Sequence, residues 1–312
     1  IAKKLNDAAA IAKADYVKFQ TYDVDSLLLK ETKTAEYQKK NLGNNISQYK
    51  MLKKYQLSES NQINLKRYAT KKKIRFLSTA FDLKSLYFLK KLNLDFIKIP
   101  SGEITNYPLL KEISQFKKKI LLSTGMATLN EIKAALQVLK KRKRELVILH
   151  CSSDYPADLK NLNLAFLRKL KMLGYDVGYS DHSESVITPS IAVTLGCKVI
   201  EKHFTLSKKL KGPDHKASLE PNELKDMIKF IKQTELMVGS EKKFITPSEK
   251  KTKILTRKSI VAYTSIKKGE IFTKKNLTTK RPGNGISPFL IKKILGKKCP
   301  TNYVKNQQIK KY

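Results

Sequence analysis

The chain has 312 residues, 41% of them hydrophobic, and a formal net charge of +37. This size suits one large domain plus a small one, and no apolar run reaches the roughly 18 residues that a membrane-spanning helix needs. Three widely spaced cysteines form no disulfide framework and no secretory signal opens the chain, so a cytoplasmic protein is expected.

The strong positive charge raises the question of nucleic-acid binding, because lysine and arginine mark phosphate-binding surfaces. Only seven of the 64 basic residues are arginine, although arginine is favoured for bidentate contacts to bases and phosphates. The lysines are also spread along the whole chain, for example at Lys53, Lys71 and Lys117, instead of forming one tail. Solvated helix faces explain the charge better, and we expect no nucleic-acid partner.

Short β-rich runs alternate with amphipathic helical stretches, the pattern of a parallel α/β architecture. Helices are predicted at 1–14, 83–92 and 129–143, and the last opens with Thr128 and Glu131 at capping-box spacing. Because the chain starts inside a helix, the eighth strand of a barrel is expected to lie before residue 1. The predicted strands are 16–20, 74–78, 96–99, 120–122, 146–150, 176–179 and 198–202.

Each predicted strand ends in small polar or charged residues. Polar groups converging at the carboxyl ends of parallel strands are typical of a TIM-barrel active site. No glycine-rich dinucleotide fingerprint follows any strand, which disfavours a doubly wound open sheet. We therefore predict an α/β fold, a TIM (β/α)8-type barrel with its first strand absent from this chain. The strand-end residues are Lys18, Gln20, Ser78, Thr79, Lys98, Ser101, Ser123, Thr124, His150, Ser152, Ser153, Ser180, His182, Glu201 and His203.

The sequence changes character near residue 246. A predicted helix at 221–237 is followed by a connector rich in Gly, Ser and Pro, and then by short segments with β-type alternation. We predict a barrel domain over 1–240, a linker over 241–250 and a small β-rich domain over 251–312.

Seven stretches of the chain carry distinctive motifs: Tyr16–Gln20, Lys98–Glu103, Leu122–Met126, Gly178–His182, Ile200–Phe204, Gly212–Ser218 and Lys280–Ile286. These strings are very similar to those of the N-acetylneuraminate (sialic acid) synthase family, in family order along the whole chain. The resemblance implies a TIM barrel followed by a C-terminal domain like type III antifreeze protein, also called a SAF domain. The family's first strand, with a sugar-contacting glutamate, would precede Ile1.

The resemblance implies a site for phosphoenolpyruvate, a compact and multiply charged anion that needs cations and hydrogen-bond donors. A lysine on a barrel strand is otherwise hard to justify, because charged side chains are rarely buried without a partner. Ser153 stands where some members have Asn, which keeps a hydrogen-bonding group. The matching positions are Lys18, Lys98, Ser101, Ser123, Ser153 and Ser180.

His182 and His203 end successive predicted strands and match the family's divalent-metal ligands. Manganese or magnesium usually fills this site, with cobalt as an alternative, and imidazole suits manganese better than magnesium. Two protein ligands leave positions open for water and a substrate oxygen, as a Lewis-acid site requires. His150 and His215 match no metal position.

Other matching positions hold the hydroxyls and acetamido group of N-acetylmannosamine. The family counterpart of Arg281 comes from the antifreeze-like domain of a partner subunit, so the resemblance implies a domain-swapped homodimer. The sugar-side residues are Gln20, Thr79, Phe81, Tyr155, Asp214 and Arg281.

The implied reaction condenses phosphoenolpyruvate with N-acetylmannosamine and water to give N-acetylneuraminate and phosphate. Lys98, Glu103 and Asp214 are the implied catalytic residues, the two carboxylates handling protons. One alternative stays within this chemistry: legionaminic acid synthases share nearly all these motifs and use 2,4-diacetamido-2,4,6-trideoxymannose. The other, a basic nucleic-acid-binding protein, would leave the strand-end residues unexplained.

Overall fold

The computed structural model describes residues 1–42 and 47–312, without the side chain of Lys40. The chain divides into two compact units, Ile1–Gly239 and Ser240–Tyr312. Among the helices of the described residues, none is both long and apolar enough to cross a membrane. All three cysteines are buried and free of disulfide bonds.

The first unit contains a curled parallel sheet in which each strand pairs with the next along the chain. The described residues provide seven strands, and β1 and β7 at the two ends of the order are not paired with each other. The predicted parallel architecture of the TIM-barrel type is confirmed. The strands are β1 (Tyr16–Thr21), β2 (Arg75–Ala80), β3 (Phe96–Ile99), β4 (Lys119–Ser123), β5 (Leu146–Cys151), β6 (Asp176–Asp181) and β7 (Val199–Lys202).

Helices cover the outside of this sheet, and several of them begin at polar capping residues. The Asp82 side chain accepts a hydrogen bond from the backbone N–H of Ser85 (2.7 Å), and the predicted capping box of Thr128 and Glu131 is confirmed. The helices of the first unit are α1 (Ala2–Ile11), α2 (Val24–Leu27), α3 (Glu36–Leu42), α4 (Gln48–Tyr55), α5 (Glu59–Lys71), α6 (Leu83–Lys91), α7 (Tyr107–Ile113), α8 (Leu129–Val138), α9 (Phe166–Lys171), α10 (Thr188–Thr194) and α11 (Pro221–Val238).

One predicted helix is wrong at its end. The stretch 129–143 was expected to be a single helix, but α8 ends at Val138 and a 3₁₀ segment covers Lys140–Glu145. This segment begins with five consecutive cations, whose mutual repulsion disfavours continued helix.

Side chains alternate between the two faces of the strands, as the period of two requires. Leu77, Leu121 and Leu149 precede the polar strand ends and form an apolar layer inside the sheet. A Cβ atom at Gly178 would lie 2.4 Å from Leu149 Cδ2 and 2.6 Å from the Val199 carbonyl oxygen. Glycine is therefore required where β6 crosses this crowded layer.

A buried ion pair joins the ends of β6 and β7 on the helix-facing side. Lys202 Nζ lies 2.6 Å from Asp181 Oδ2, and the two side chains are 2% and 0% exposed. Asp181 also accepts hydrogen bonds from the Tyr179 hydroxyl, the Ser183 backbone N–H and the Thr188 hydroxyl. The pair is thus paired and hydrogen-bonded, the condition under which buried charges are tolerated.

The second unit has its own core, which includes Ile260, Phe272 and Ile309. Its two strands of regular length pair antiparallel, with Ser259 opposite Lys280 in the described part of the chain. Helix α12 begins inside the stretch 241–250, and the linker there stays a prediction. The elements are α12 (Pro247–Thr256), β8 (Ser259–Ala262), β9 (Leu277–Lys280) and α13 (Ile291–Ile294).

Candidate active site

Two lysines converge on one carboxylate inside the sheet. Lys98 Nζ lies 3.5 Å from Glu201 Oε1, and Lys18 Nζ lies 3.9 Å from Glu201 Oε2. Lys98 Nζ also donates to Ser123 Oγ (2.7 Å), and Ser180 Oγ donates to Glu201 Oε1 (2.9 Å). Strands β1, β3, β4, β6 and β7 thus bring five charged or hydroxyl-bearing side chains together.

The charges in this cluster depend on one another. Burial alone would raise the pKa of Glu201, but the ammonium groups of Lys18 and Lys98 lower it to about 2. Burial lowers the pKa of Lys98, and Glu201 opposes this effect. The Lys98 side chain is only 3% exposed, so its positive charge is held almost entirely by protein groups. Because the cluster contains two cations and one anion, its positive potential favours the binding of a further anion.

Glutamine in place of Glu201 should destabilise the protein by about 3 kcal/mol at pH 7, because it leaves the Lys98 charge buried without its counter-ion. A carboxylate with a depressed pKa contributes stability above its ordinary pKa of 4.5, and this contribution is lost as pH falls towards 2. Urea unfolding of both proteins at pH 7 and pH 3 should therefore show a smaller difference at pH 3.

The matched control is Glu145→Gln, since Glu145 forms a more exposed pair with Arg142 at 3.3 Å. Its cost should stay below about 1 kcal/mol. A cost of Glu201→Gln that does not change between pH 7 and pH 3 would contradict the coupling to the two lysines.

A second group of small polar residues lies where β3, β4 and β5 end. The Gly125 backbone N–H donates to Ser101 Oγ (3.0 Å), and Cys151 Sγ lies 3.7 Å from Ser101 Oγ and 3.9 Å from Ser153 Oγ. A Cβ atom at Gly125 would lie 2.1 Å from Ser153 Oγ and 2.9 Å from Ser101 Oγ. Glycine there keeps the space between the two serine hydroxyls open.

The two histidines predicted as metal ligands are neighbours. The ring centroids of His182 and His203 are 5.2 Å apart, with the planes at 63°. His182 Nδ1 donates to the Ser152 carbonyl oxygen (2.6 Å), which leaves Nε2 as the atom able to bind a metal. Burial lowers the pKa of His203 to about 3, so this ring is neutral at physiological pH.

His182 has a different electrostatic environment from His203. Burial lowers the pKa of His182, but the Cys151 sulfur and the Ser152 carbonyl outweigh this effect and raise it above the ordinary value. A cation at Nε2 would therefore compete with a proton. No group of three or more His, Cys, Asp or Glu side chains is arranged for a metal within the described residues.

Tyr155 connects the histidines to the loop that carries Asp214. Its ring centroid lies 4.3 Å from that of His182 and 5.5 Å from that of His203. Burial raises the pKa of Asp214, whose Oδ1 atom is buried and finds no hydrogen-bond partner among the described residues. An unpartnered buried acceptor of this kind is suited to a ligand that brings a donor.

Four further predicted site residues lie on β1, on β2 or in the segments that follow β2 and β3. Gln20, the penultimate residue of β1, is exposed, and Thr79 is buried on β2 with no partner for its hydroxyl among the described residues. The rings of Phe81 and Tyr22 meet edge to face at 6.2 Å. Burial raises the pKa of Glu103, whose carboxylate accepts a hydrogen bond from Asn106.

Arg281 is the one predicted site residue in the second unit, where it follows β9 and is exposed. The two histidines outside the predicted metal pair have structural contacts. His150 Nε2 lies 2.7 Å from the Leu162 carbonyl oxygen, and His215 Nδ1 lies 2.7 Å from Thr205 Oγ1.

Three residues near the site were not predicted as site residues. Glu201 was recognised as a strand-end residue, and its alternation with His203 was the available signal for an inward side chain. Gly125 lies in the string Leu122–Met126, but the sequence predicts no role for it. Tyr37 on α3 stacks on Tyr155, with ring centroids 5.1 Å apart, and no sequence pattern indicated it.

A cavity of about 310 Å³ lies beside β2, β3 and α6, and Lys98 is among its lining residues. Its walls are largely apolar, with Leu86, Leu89 and Phe116 among them, and Lys90 and Lys118 also contribute. Its described lining residues include no histidine and no carboxylate. Glu201 and His203, whose pKa values are shifted to about 2 and about 3, lie at or directly after the carboxyl end of β7, which favours that edge of the sheet as the active site.

A parallel barrel-type sheet with buried lysines, serines and paired histidines at its carboxyl edge defines an α/β enzyme equipped for an anionic substrate. Residues 5–243 match the NeuB family, and residues 257–311 match the SAF domain. The chain belongs to the NeuB family, and it is a nonulosonic acid synthase-type enzyme.

Similar proteins carry related names. The N,N'-diacetyllegionaminic acid synthase of Campylobacter jejuni is 47% identical over 99% of this chain and 94% of its own length. The enzyme of the same name from Legionella pneumophila is 41% identical over 97% of this chain and 86% of its own length. The crystal structure of N-acetylneuraminic acid synthetase from Leptospira borgpetersenii has a TM-score of 0.70 and 32% identity, covering 80% of this chain and 84% of that one.

Proposed function

We propose that this enzyme condenses phosphoenolpyruvate with 2,4-diacetamido-2,4,6-trideoxymannose and water, giving N,N'-diacetyllegionaminate and phosphate. Two relatives at 47% and 41% identity bear the name of that activity. They favour this acceptor over N-acetylmannosamine, which was the main expectation from the sequence. The observation that carries the phosphoenolpyruvate half is the buried Lys98, held between Ser123 and Glu201.

Phosphoenolpyruvate is the anion proposed for the lysine cluster. Lys18 and Lys98 supply the positive charge, and serine hydroxyls supply hydrogen-bond donors to the phosphate and carboxylate oxygens. Glu201 lies within 3.9 Å of Lys18 and 3.5 Å of Lys98, so its carboxylate offsets part of their positive charge. The serines proposed as donors are Ser101, Ser123, Ser153 and Ser180.

His182 and His203 are proposed to hold a divalent cation, with manganese favoured over magnesium or cobalt. The pair fits this role, because His203 is neutral, His182 directs Nδ1 at a carbonyl, and the rings are 5.2 Å apart. Bound there, the cation would supply Lewis-acid polarisation of the aldehyde oxygen of the open-chain sugar.

The bond changes follow from the substrates. Carbon 3 of phosphoenolpyruvate attacks the sugar aldehyde carbon, and water adds to the cationic carbon 2 that results. The tetrahedral intermediate then expels phosphate and leaves the keto group of the product. Glu103 and Asp214 are the proposed proton carriers, since burial raises the pKa of both carboxyl groups towards the working pH.

The acceptor sugar is proposed to lie above the histidines, against Tyr155. Asp214 Oδ1 and Thr79 Oγ1 are buried polar atoms without partners among the described residues, and sugar N–H and O–H groups would satisfy them. Gln20 and Phe81 are proposed to complete the sugar contacts within the barrel unit.

Arg281 is proposed to reach the sugar in the barrel of a partner subunit, within a domain-swapped homodimer. Arg281→Ala should raise the KM for the sugar roughly ten- to a hundredfold and change the KM for phosphoenolpyruvate far less, because one charge-assisted contact is lost. Steady-state kinetics with each substrate varied in turn measures both values.

Mixing Arg281→Ala with Lys98→Ala subunits should restore part of the activity, because one site of each mixed dimer holds both native residues. Lys280→Ala is a matched control, since it removes a neighbouring cation whose Nζ donates to Asn306. No recovery after demonstrated subunit exchange would mean that Arg281 acts within its own chain or has no role.

Phosphate release tests the proposed function directly. The enzyme is incubated with phosphoenolpyruvate, Mn²⁺ and either 2,4-diacetamido-2,4,6-trideoxymannose or N-acetylmannosamine. We expect kcat/KM to be at least about tenfold higher for the diacetamido sugar. An equal or higher value for N-acetylmannosamine would refute the proposed acceptor, and no phosphate release with either sugar would refute the condensation.

A further inference from the structure

Tyr37 is a residue without an assigned role beside Tyr155, against which the acceptor sugar is proposed to lie. It lies on α3, far in sequence from Tyr155. Its ring stacks on Tyr155 with centroids 5.1 Å apart and planes at 22°. Tyr155 in turn packs against both His182 and His203. Tyr37 is therefore the outermost ring of an aromatic stack that begins at the proposed metal ligands.

The hydroxyl of Tyr37 is already engaged. It accepts a hydrogen bond from Gln38 Nε2 (3.1 Å), and burial together with the negative charge of nearby Asp214 raises the pKa of Tyr37. Asn41, one turn further along α3, donates to the Pro213 carbonyl oxygen (2.6 Å). The Asn41 contact attaches helix α3 to the loop of Pro213 and Asp214, and Tyr37 is half-buried beside that loop with its ring against Tyr155.

We infer that Tyr37 is a specificity-determining residue, whose ring selects an acceptor sugar with apolar substituents over one with hydroxyl groups. This inference rests on the proposed function. The diacetamido sugar carries an acetamido group at carbon 4 and a methyl group at carbon 6, where N-acetylmannosamine carries hydroxyls. An aromatic face gains from contact with methyl groups, whereas a hydroxyl buried against it loses its hydrogen bonds to water.

The size of the effect follows from known discrimination by apolar pockets. A methyl-sized difference in such a pocket changes kcat/KM by roughly 10- to 200-fold. Tyr37→Ala should therefore lower the ratio of kcat/KM for the diacetamido sugar to that for N-acetylmannosamine by about tenfold. The KM for phosphoenolpyruvate should stay within about twofold, because Tyr155 and Gln38, which Tyr37 contacts, are not among the proposed phosphoenolpyruvate ligands.

Three further variants separate the ring from other effects. Tyr37→Phe keeps the ring and should hold the ratio within about twofold, whereas Tyr37→Asn places a polar group there and should lower it at least as far as alanine. Tyr49→Ala is the matched control, because Tyr49 belongs to the same stretch of chain but bonds to Asp25. Circular dichroism and thermal unfolding verify that each variant is folded.

The outcomes are distinct. A tenfold fall of the ratio in the alanine and asparagine variants, with Tyr37→Phe and Tyr49→Ala unchanged, supports the inference. An unchanged ratio of the two kcat/KM values in Tyr37→Ala and Tyr37→Asn overturns the inference and leaves the proposed function standing. If Tyr37→Ala and Tyr37→Asn are folded but turn over neither sugar, Tyr37 is needed for the structure of the site as a whole, which also overturns the inference. No phosphate release by the parent enzyme with either sugar would refute the proposed function, and the inference with it.

Discussion

Alanine in place of His203 should abolish metal-dependent phosphate release and leave the fold intact. His203 is buried and neutral, with a pKa of about 3, and it meets His182 at 5.2 Å. Substitution of a residue that hydrogen-bonds to a metal ligand typically lowers metal affinity or activity roughly 10- to 100-fold. Removing one of two protein ligands should lower both by more than this. Mn²⁺ binding followed by electron paramagnetic resonance gives a measurement independent of turnover, and affinity should fall at least about a hundredfold.

The matched control for this variant is His150→Gln. His150 is buried on the same sheet but bonds to the Leu162 carbonyl, a contact that glutamine can also make. The control should bind Mn²⁺ like the parent. Equal turnover of His203→Ala and the parent, after EDTA treatment and addition of manganese, would refute the ligand assignment.

Methionine in place of Lys98 should lower kcat/KM for phosphoenolpyruvate by at least about one to two orders of magnitude. The substitution keeps the length of the side chain and removes a buried cation that hydrogen-bonds to Ser123. Each hydrogen bond between charged groups contributes about 1.5–3 kcal/mol, and a phosphate oxygen would lose at least one. Steady-state kinetics with phosphoenolpyruvate varied at saturating sugar measures the effect.

Lys98→Met should also be less destabilising than Glu201→Gln. Glu201 would keep Lys18 at 3.9 Å and the Ser180 hydroxyl at 2.9 Å, whereas Lys98 loses its acidic neighbour in the glutamine variant. Lys119→Met serves as a control, because Lys119 is exposed at the opposite end of β4. A kcat/KM for phosphoenolpyruvate within tenfold of the parent in Lys98→Met would rule out this lysine as an anion ligand.

The sequence predicted the sheet well because local signals determine strands. Runs such as Ile120–Leu122 are apolar and bounded by polar residues, so the strand and its inward end at Ser123 could both be expected. Lys98 could be predicted as a site residue because charged side chains are rarely buried on a strand without a partner. These features depend on residues within one strand.

Contacts between distant segments were not predictable in the same way. Glu201 neutralises Lys18 and Lys98, which lie more than a hundred residues earlier in the chain, and nothing local to Glu201 indicates this pairing. Tyr37 lies on a short helix outside the β/α pattern, and its partners Tyr155 and Asp214 come from two other loops. The contribution of Arg281 to a second subunit stays a prediction.

The buried pair of Asp181 and Lys202 has a consequence for how the sheet assembles. Asp181 and Lys202 lie opposite each other in the register of β6 and β7, and each directly precedes one of the two histidines. A slip of β7 by one residue would turn Lys202 inward, place His203 against the helices and leave the buried Asp181 carboxylate without its counter-ion. Such a charge costs several kcal/mol, so the misregistered sheet is strongly disfavoured during folding. The spacing of the two histidines is thereby protected by residues that never meet the substrates.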